Sequence, residues 1–172
     1  VYDSIDIILF IFVLGGCIGV LNYMGAFNSA IAVLSKITKG KEYILIVLIT
    51  IIIAAGGTTF GLAEETIALY PILVPVFLAA GYDVIVCIAA IYMGSSIGTM
   101  FPTINPFSVG NASNAAGISL ADGMGFRFAA LIIGVIITLV YILRYAKKVK
   151  ADPTKSICYD QYEYHMKKFG HQ

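Results

Sequence analysis

Long stretches of this chain carry no charge at all. None occurs between Asp6 and Lys36, Glu42 and Glu64, Glu65 and Asp83, Asp83 and Asp122, or Arg127 and Arg144. A helix that crosses a bilayer needs about 20 mostly apolar residues, with a range near 17–25, and these stretches lie close to that length or beyond it. The totals agree with the pattern, since only 12% of the 172 residues are charged and 59% are apolar. Soluble domains carry about 25% charged residues. So little charge cannot coat a water-exposed surface, which excludes a soluble enzyme, a nucleic-acid binder and a disordered chain. The expectation is an all-α integral membrane protein with the lipid bilayer as its first partner.

The apolar stretches are unequal, and the inequality is informative. Residues 5–24 (IDIILFIFVLGGCIGVLNYM) make one full span. In 26–38, Phe27, Ala30, Ile31, Leu34 and Ile37 recur every three or four residues, beside the basic cluster Lys36, Lys39 and Lys41. That spacing predicts an amphipathic helix lying in the membrane interface; the alternative is a kinked continuation of the first span. Residues 43–55 are solidly apolar but reach only about 20 Å as a helix, against about 30 Å of hydrocarbon. They run into Gly56-Gly57-Thr58-Thr59-Phe60-Gly61, a poor helix interior. A second short run, 66–80, follows with Pro71 and Pro75 inside it. Together 43–80 predict a re-entrant helical hairpin with a Gly/Thr tip, tolerated at membrane depth only where protein or a cavity surrounds it. Two full crossings would give the same parity.

The uncharged run from 84 to 117 is too long for one span. Pro102 and Pro106 remove amide donors and push Phe101 and Asn105 out of helical geometry. We read 84–117 as a discontinuous transmembrane helix, broken at 99–106. Residues 125–146 form the last span, closed by Arg144, Lys147, Lys148 and Lys150, and 151–172 is a polar, Tyr-rich tail or loop. Basic flanks mark the cytoplasmic side, which places 36–42 and 144–172 inside. A start at Val1, close to a span, is simplest to understand if the chain is part of a larger protein.

Polar residues at membrane depth are functional candidates by default, because ionised groups are costly there. Glu64 and Glu65 follow the hairpin tip. They suit a cationic group, a proton or an ion, or else cap the second hairpin helix, where an acid complements the helix dipole. Gly57, Thr58 and Thr59 offer hydroxyls and close backbone approach. Ser95, Ser96, Thr99, Thr103 and Asn105 repeat that chemistry in the broken helix. Unwound carbonyls hold cations and half-helix N-termini attract anions. The bland alternative for Gly94–Gly98 is a small-residue packing face. Asn111, Ser113 and Asn114 fit helix–helix hydrogen bonds better than a site. Two histidines in the tail suggest no metal site, the three cysteines no disulfide framework, and no catalytic triad, zinc spacing or phosphate loop occurs.

The stretch GGTTFGLAEETIALYPILVPVFLAAGYD, followed by AAIYMGSSIGTMFPTINPFSVGNASNAAGIS, resembles the C4-dicarboxylate anaerobic carrier family, in its YfcC-like branch of the ion transporter superfamily. The resemblance covers roughly 40–150. It implies a secondary carrier of the bacterial inner membrane, commonly dimeric and driven by an ion gradient, built from two inverted repeats that each lend a hairpin and a broken helix to one site. This chain then looks like the N-terminal repeat, partnered by a C-terminal repeat that it lacks. The hairpin tip maps to Gly57, Thr58 and Thr59, with Glu64 and Glu65 beside it, and the break to Ser96, Thr99, Thr103 and Asn105. The implied substrate is a small carboxylate or an amino acid. A basic amino-acid antiporter of the arginine/ornithine type is the alternative, and a channel or a non-transporting scaffold subunit the readings of another class. No enzyme activity, cofactor or metal centre is expected. A coupling Na+ or H+ is, with Thr58, Thr59, Ser96 and Asn105 as oxygen donors for Na+.

Overall fold

A computed structural model describes residues 41–169, together with Leu9, Phe12, Val13, Gly16, Val20, Tyr23 and Met24. The expected span 5–24 lies mostly, and the interfacial helix 26–38 wholly, outside the described residues. Among the described residues all regular structure is helical. In chain order the elements are α1 (Tyr43–Phe60), a 3-10 segment (Glu64–Leu69), α2 (Tyr70–Ala79), α3 (Val84–Met100), a π turn (Pro106–Gly110), α4 (Asn111–Ala116), α5 (Met124–Ala151) and α6 (Tyr162–Phe169).

Helix α1 corrects the expected short first arm. It does not stop at residue 55; Gly56, Gly57, Thr58 and Thr59 are its last full turn, and it reaches 18 residues, about 27 Å. Two glycines weaken an isolated helix, but here Gly57 faces the backbone of α3 while Gly56 meets the Leu62 side chain. A Cβ on Gly57 would lie 3.1 Å from the Gly98 Cα, and a Cβ on Gly94 would lie 3.0 Å from the Thr50 carbonyl oxygen. The glycines of α1 and α3 let two backbones touch, and that packing outweighs propensity. The turn falls instead at Gly61, whose φ of +77° is left-handed and suits a residue without Cβ. Its amide donates to the Gly57 carbonyl at 3.0 Å, and that of Leu62 to Gly56 at 3.3 Å.

The second arm is likewise less interrupted than its prolines suggest. Pro71 sits in the first turn of α2, where no donor is needed, and Pro75 lies buried inside the helix without ending it. Helix α3 starts on Asp83, whose side chain caps it through the Val86 amide at 2.9 Å. The break in the long 84–117 segment is present, with α3 ending at Met100 and helical geometry resuming at Pro106.

The base of the assembly is where α1 and α3 begin and α2 and α5 end. Lys150 Nζ there meets Glu42 Oε2 at 2.9 Å and the Ala80 carbonyl at 3.4 Å. Just above it sits the apolar core, with Leu45, Ile46, Phe77, Val86, Cys87, Ala90, Ile91 and Ile142 almost fully buried. Among the described residues two helices, α1 and α5, are long and apolar enough to cross a membrane. Their outward faces stay apolar: Ile133 and Ile137, one turn apart, are 59% and 64% exposed, as suits contact with acyl chains. The tail is more than a loop. Its 3-10 turns and α6 return against the base, and Ser156 is buried there.

Candidate functional site between the hairpin tip and the broken helix

The last turn of α1 and the break after α3 meet through a dense set of hydrogen bonds. Thr58 Oγ1 donates to the Phe101 carbonyl at 2.8 Å and accepts from the Thr103 amide at 2.9 Å. The two threonine hydroxyls lie 3.2 Å apart. The Thr58 carbonyl accepts the amides of Thr103 at 3.1 Å and Ile104 at 3.4 Å. Pro102 and Pro106 prevent this stretch from bonding as a helix, and Thr58 satisfies the groups they leave free. Thr58, Thr103 and Asn105 are all buried, where an unpaired amide or carbonyl would cost about 1–3 kcal/mol.

Asn105 has two roles. Its Oδ1 accepts from the amides of Phe107 at 2.9 Å and Ser108 at 3.3 Å, starting the second half-helix as an N-cap does. Its Nδ2 reaches the Gly57 carbonyl at 3.5 Å. Ser95 ties the other side of the tip, its hydroxyl donating to the Leu62 carbonyl at 2.6 Å. Packing tightens the same junction. A Cβ on Gly98 would fall on the Ala54 carbonyl and come within 2.9 Å of the Gly57 Cα. The small-residue face at Gly94–Gly98 and the polar junction are therefore one device, the first bringing the second together.

The remaining candidates divide between self-bonded and open groups. Thr59 Oγ1 bonds back to the Ala55 carbonyl at 2.6 Å, and Thr99 Oγ1 to that of Ser95 at 3.0 Å. Glu65 folds onto its own turn, accepting the Ala63 amide at 3.2 Å. Glu64 is exposed, and among the described residues it has no hydrogen-bond or ion-pair partner. Ser96 is half-buried, and its carbonyl accepts from Thr99 at 3.2 Å. Of the oxygens expected to hold Na+, those of Thr58, Thr59 and Asn105 are engaged within the chain. Among the described residues there is no cluster of His, Cys, Asp or Glu fit for a metal ion.

The long helix α5 measures the depth of this junction. Gly134 makes room for the Phe101 ring, whose Cε2 would lie 3.1 Å from a Cβ at that position. From Gly134, Arg144 is about 15 Å along the helix in one direction and Arg127 about 10 Å in the other. The break therefore sits near the middle of the apolar length of α5.

Sequence reasoning missed a second polar cluster, at the base. Asp83 is 2% exposed, and its Oδ2 accepts from Tyr145 at 2.8 Å and Ser156 at 2.5 Å. The Tyr145 hydroxyl also accepts the Ile157 amide at 3.2 Å. The available signal was an Asp directly before an apolar run, a helix N-cap pattern; the partners 62 and 73 residues away leave no local trace.

Comparison with known proteins places these features in context. The family model described as C4-dicarboxylate anaerobic carrier matches residues 2–172. A protein of Haemophilus influenzae, called "Uncharacterized protein", is 52% identical over 161 residues, covering 94% of this chain and 32% of the relative. The "Putative basic amino acid antiporter YfcC" of Escherichia coli strain K12 is 33% identical over 153 residues, covering 89% of this chain and 30% of that protein. The chain thus spans about a third of the length of the curated relatives it matches. No solved structure matches.

Proposed function

This chain belongs to the C4-dicarboxylate anaerobic carrier family, in its YfcC-like branch, and we propose that it is one repeat of an ion-coupled secondary transporter for small carboxylates or amino acids. The observation that carries the reading is the Thr58–Phe101–Thr103 junction at the height of Gly134. Irregular backbone midway along a membrane helix is tolerated where it lines a cavity or is buried in protein, and half-helix ends there attract ions and charged substrates. A second repeat, supplied by the rest of the protein, completes the site. Gly57, Thr58, Ser95, Thr103 and Asn105 form its scaffold, while the Glu64 and Ser96 side chains have no partner among the described residues. Thr59 and Thr99, whose hydroxyls donate within their own helices, keep lone pairs for a cation. The coupling ion is Na+ or H+, and the full protein works as a homodimer in the bacterial inner membrane.

The re-entrant hairpin belongs to the same proposal. The length of α1 no longer argues for it, because 18 residues nearly span the hydrocarbon. The support now comes from depth: the tip is bonded to a break that lies midway along α5. Lysines at 147, 148 and 150 put the base on the cytoplasmic side.

Two features favour the second reading, basic amino-acid antiport. The printed name of the Escherichia coli relative speaks for it, and Glu64 is an exposed carboxylate with, among the described residues, no basic side chain paired to it. Reconstituted full-length protein tests both. Uptake of labelled dicarboxylate, neutral amino acid and arginine is measured with and without Na+ and pH gradients. Flux indifferent to Glu64→Gln, Glu65→Gln and Asn105→Ala would sink the site, and flux with no gradient dependence would favour a channel.

A further inference from the structure

At the base of the helices, far from the tip and the break, a groove of about 550 Å³ opens between the start of α1 and the end of α5. Its walls and its rim differ in chemistry. Tyr43, Leu143 and Ala146 make it apolar within, and Lys147 and Lys150 stand at its edge. Lys150 is held in place by Glu42 at 2.9 Å and by the Tyr82 ring, 5.1 Å from the ammonium to the centroid. Lys147 is exposed and, among the described residues, has no hydrogen-bond or ion-pair partner. Lys41 and Lys148, next in sequence to groove residues, are also exposed. Among the described residues Glu42 is the one acid lining the groove, against Lys147 and Lys150, so their sum at the edge is positive.

These two chemistries meet where the apolar length of α5 gives way to its basic end, the level of the lipid headgroups if α1 and α5 cross the bilayer. We infer that the groove holds an anionic phospholipid of that leaflet, its phosphate against Lys147 and Lys150 and an acyl chain along Tyr43, Leu143 and Ala146. A zwitterionic lipid offers Lys147 the same phosphate but brings its own ammonium to a rim that already carries Lys147 and Lys150. Free phosphate would meet the lysines and leave the wall wet. A lipid carrying net negative charge satisfies both without adding a cation to the rim, and basic pockets between membrane helices are where such headgroups bind. The inference rests on α1 and α5 spanning the membrane and is independent of what the tip and break transport.

Native mass spectrometry of the protein released from nanodiscs of equal phosphatidylglycerol and phosphatidylcholine tests it. Wild-type protein retains phosphatidylglycerol selectively, and Lys147→Gln lowers that selectivity about fivefold. Lys147→Arg, which keeps the charge, leaves it within about twofold, so a loss in the Gln variant is not a folding defect. Equal retention of the two lipids by wild type, or unchanged selectivity in Lys147→Gln, overturns the site. Displacement of the lipid by inorganic phosphate alone also overturns it, as does crosslinking of position 147 to residues 25–40 in the presence of phosphatidylglycerol, which would make the chain itself the occupant.

Discussion

The hydroxyl of Thr58 donates to the Phe101 carbonyl at 2.8 Å while accepting the Thr103 amide at 2.9 Å, so one side chain closes both edges of a proline-made gap. Removing it takes this partner from the Phe101 carbonyl and leaves the Thr103 amide with only its 3.1 Å bond to the Thr58 carbonyl. Thr58→Val keeps the shape and loses the bonds; it is expected to cost about 1–3 kcal/mol and to reduce transport by the full protein. Thr58→Ser restores both. Thermal unfolding in detergent beside uptake separates the two, and a Val variant as stable as wild type would show that the break needs no tie.

Gly98 is where two backbones touch. A side chain there would collide with the Ala54 carbonyl and the Gly57 Cα, neither of which is a flexible group. Gly98→Ala is expected to separate α1 from α3 and to destabilise by about 1–3 kcal/mol. Gly125→Ala meets nothing within 4 Å and serves as the control. Equal melting temperatures for the two variants would refute the close contact.

Asp83 anchors the tail. Asp83→Ala removes the α3 cap, worth about 1 kcal/mol, and frees Tyr145 and Ser156 together. The expected result is faster proteolysis within 152–169 in detergent, with α3 still helical. Ser156→Ala should loosen the tail alone. If Asp83→Ala leaves cleavage unchanged, the tail is held by something else.

Asp152 starts the turn that follows α5. The Thr154 hydroxyl at 2.6 Å, then Lys155, hold its carboxyl below the ordinary value. A lowered folded pKa stabilises the turn above the unfolded value, and that contribution fades as pH falls through the lowered one. Carbon-detected NMR should place the Asp152 midpoint below 3.8, the ordinary value, and Thr154→Val should raise it. A midpoint unmoved by Thr154→Val would discount the hydroxyl.

Accessibility reports on the hairpin directly. A cysteine at Ala63, beside the tip, is expected to react with a membrane-impermeant maleimide from the cytoplasmic side, slowly and with protection by substrate. Free labelling only from outside at residues 61–63, with cysteines at the base still labelled from inside, would make α1 and α2 two full crossings, and labelling of the base from outside would invert the topology.

Much of this protein is legible along the chain because its signals are local. Uncharged runs mark membrane helices, and Pro102 and Pro106 mark the break, since a missing amide donor needs no neighbour to act. The resemblance to the carrier family, carried by two motifs, likewise lies in the sequence. The end of α1 was misjudged because glycine and threonine are weak helix formers when nothing packs on them.

What the tertiary structure decided is which polar groups answer one another. From sequence, Glu64 and Glu65 were equivalent; in the fold Glu65 is spent on its own turn and Glu64 stays open. Thr58 and Thr59 were equivalent too, yet one bridges 43 residues to Phe101 and the other bonds back into its helix. Asp83 looked like a boundary charge and proved to hold the tail. Composition and periodicity determine that a segment leaves water, because that transfer depends on each residue's own surface. Partnership in the fold depends on distance in three dimensions, which the packing of the helices sets, at the tip and break through the close approach of Gly57 and Gly98.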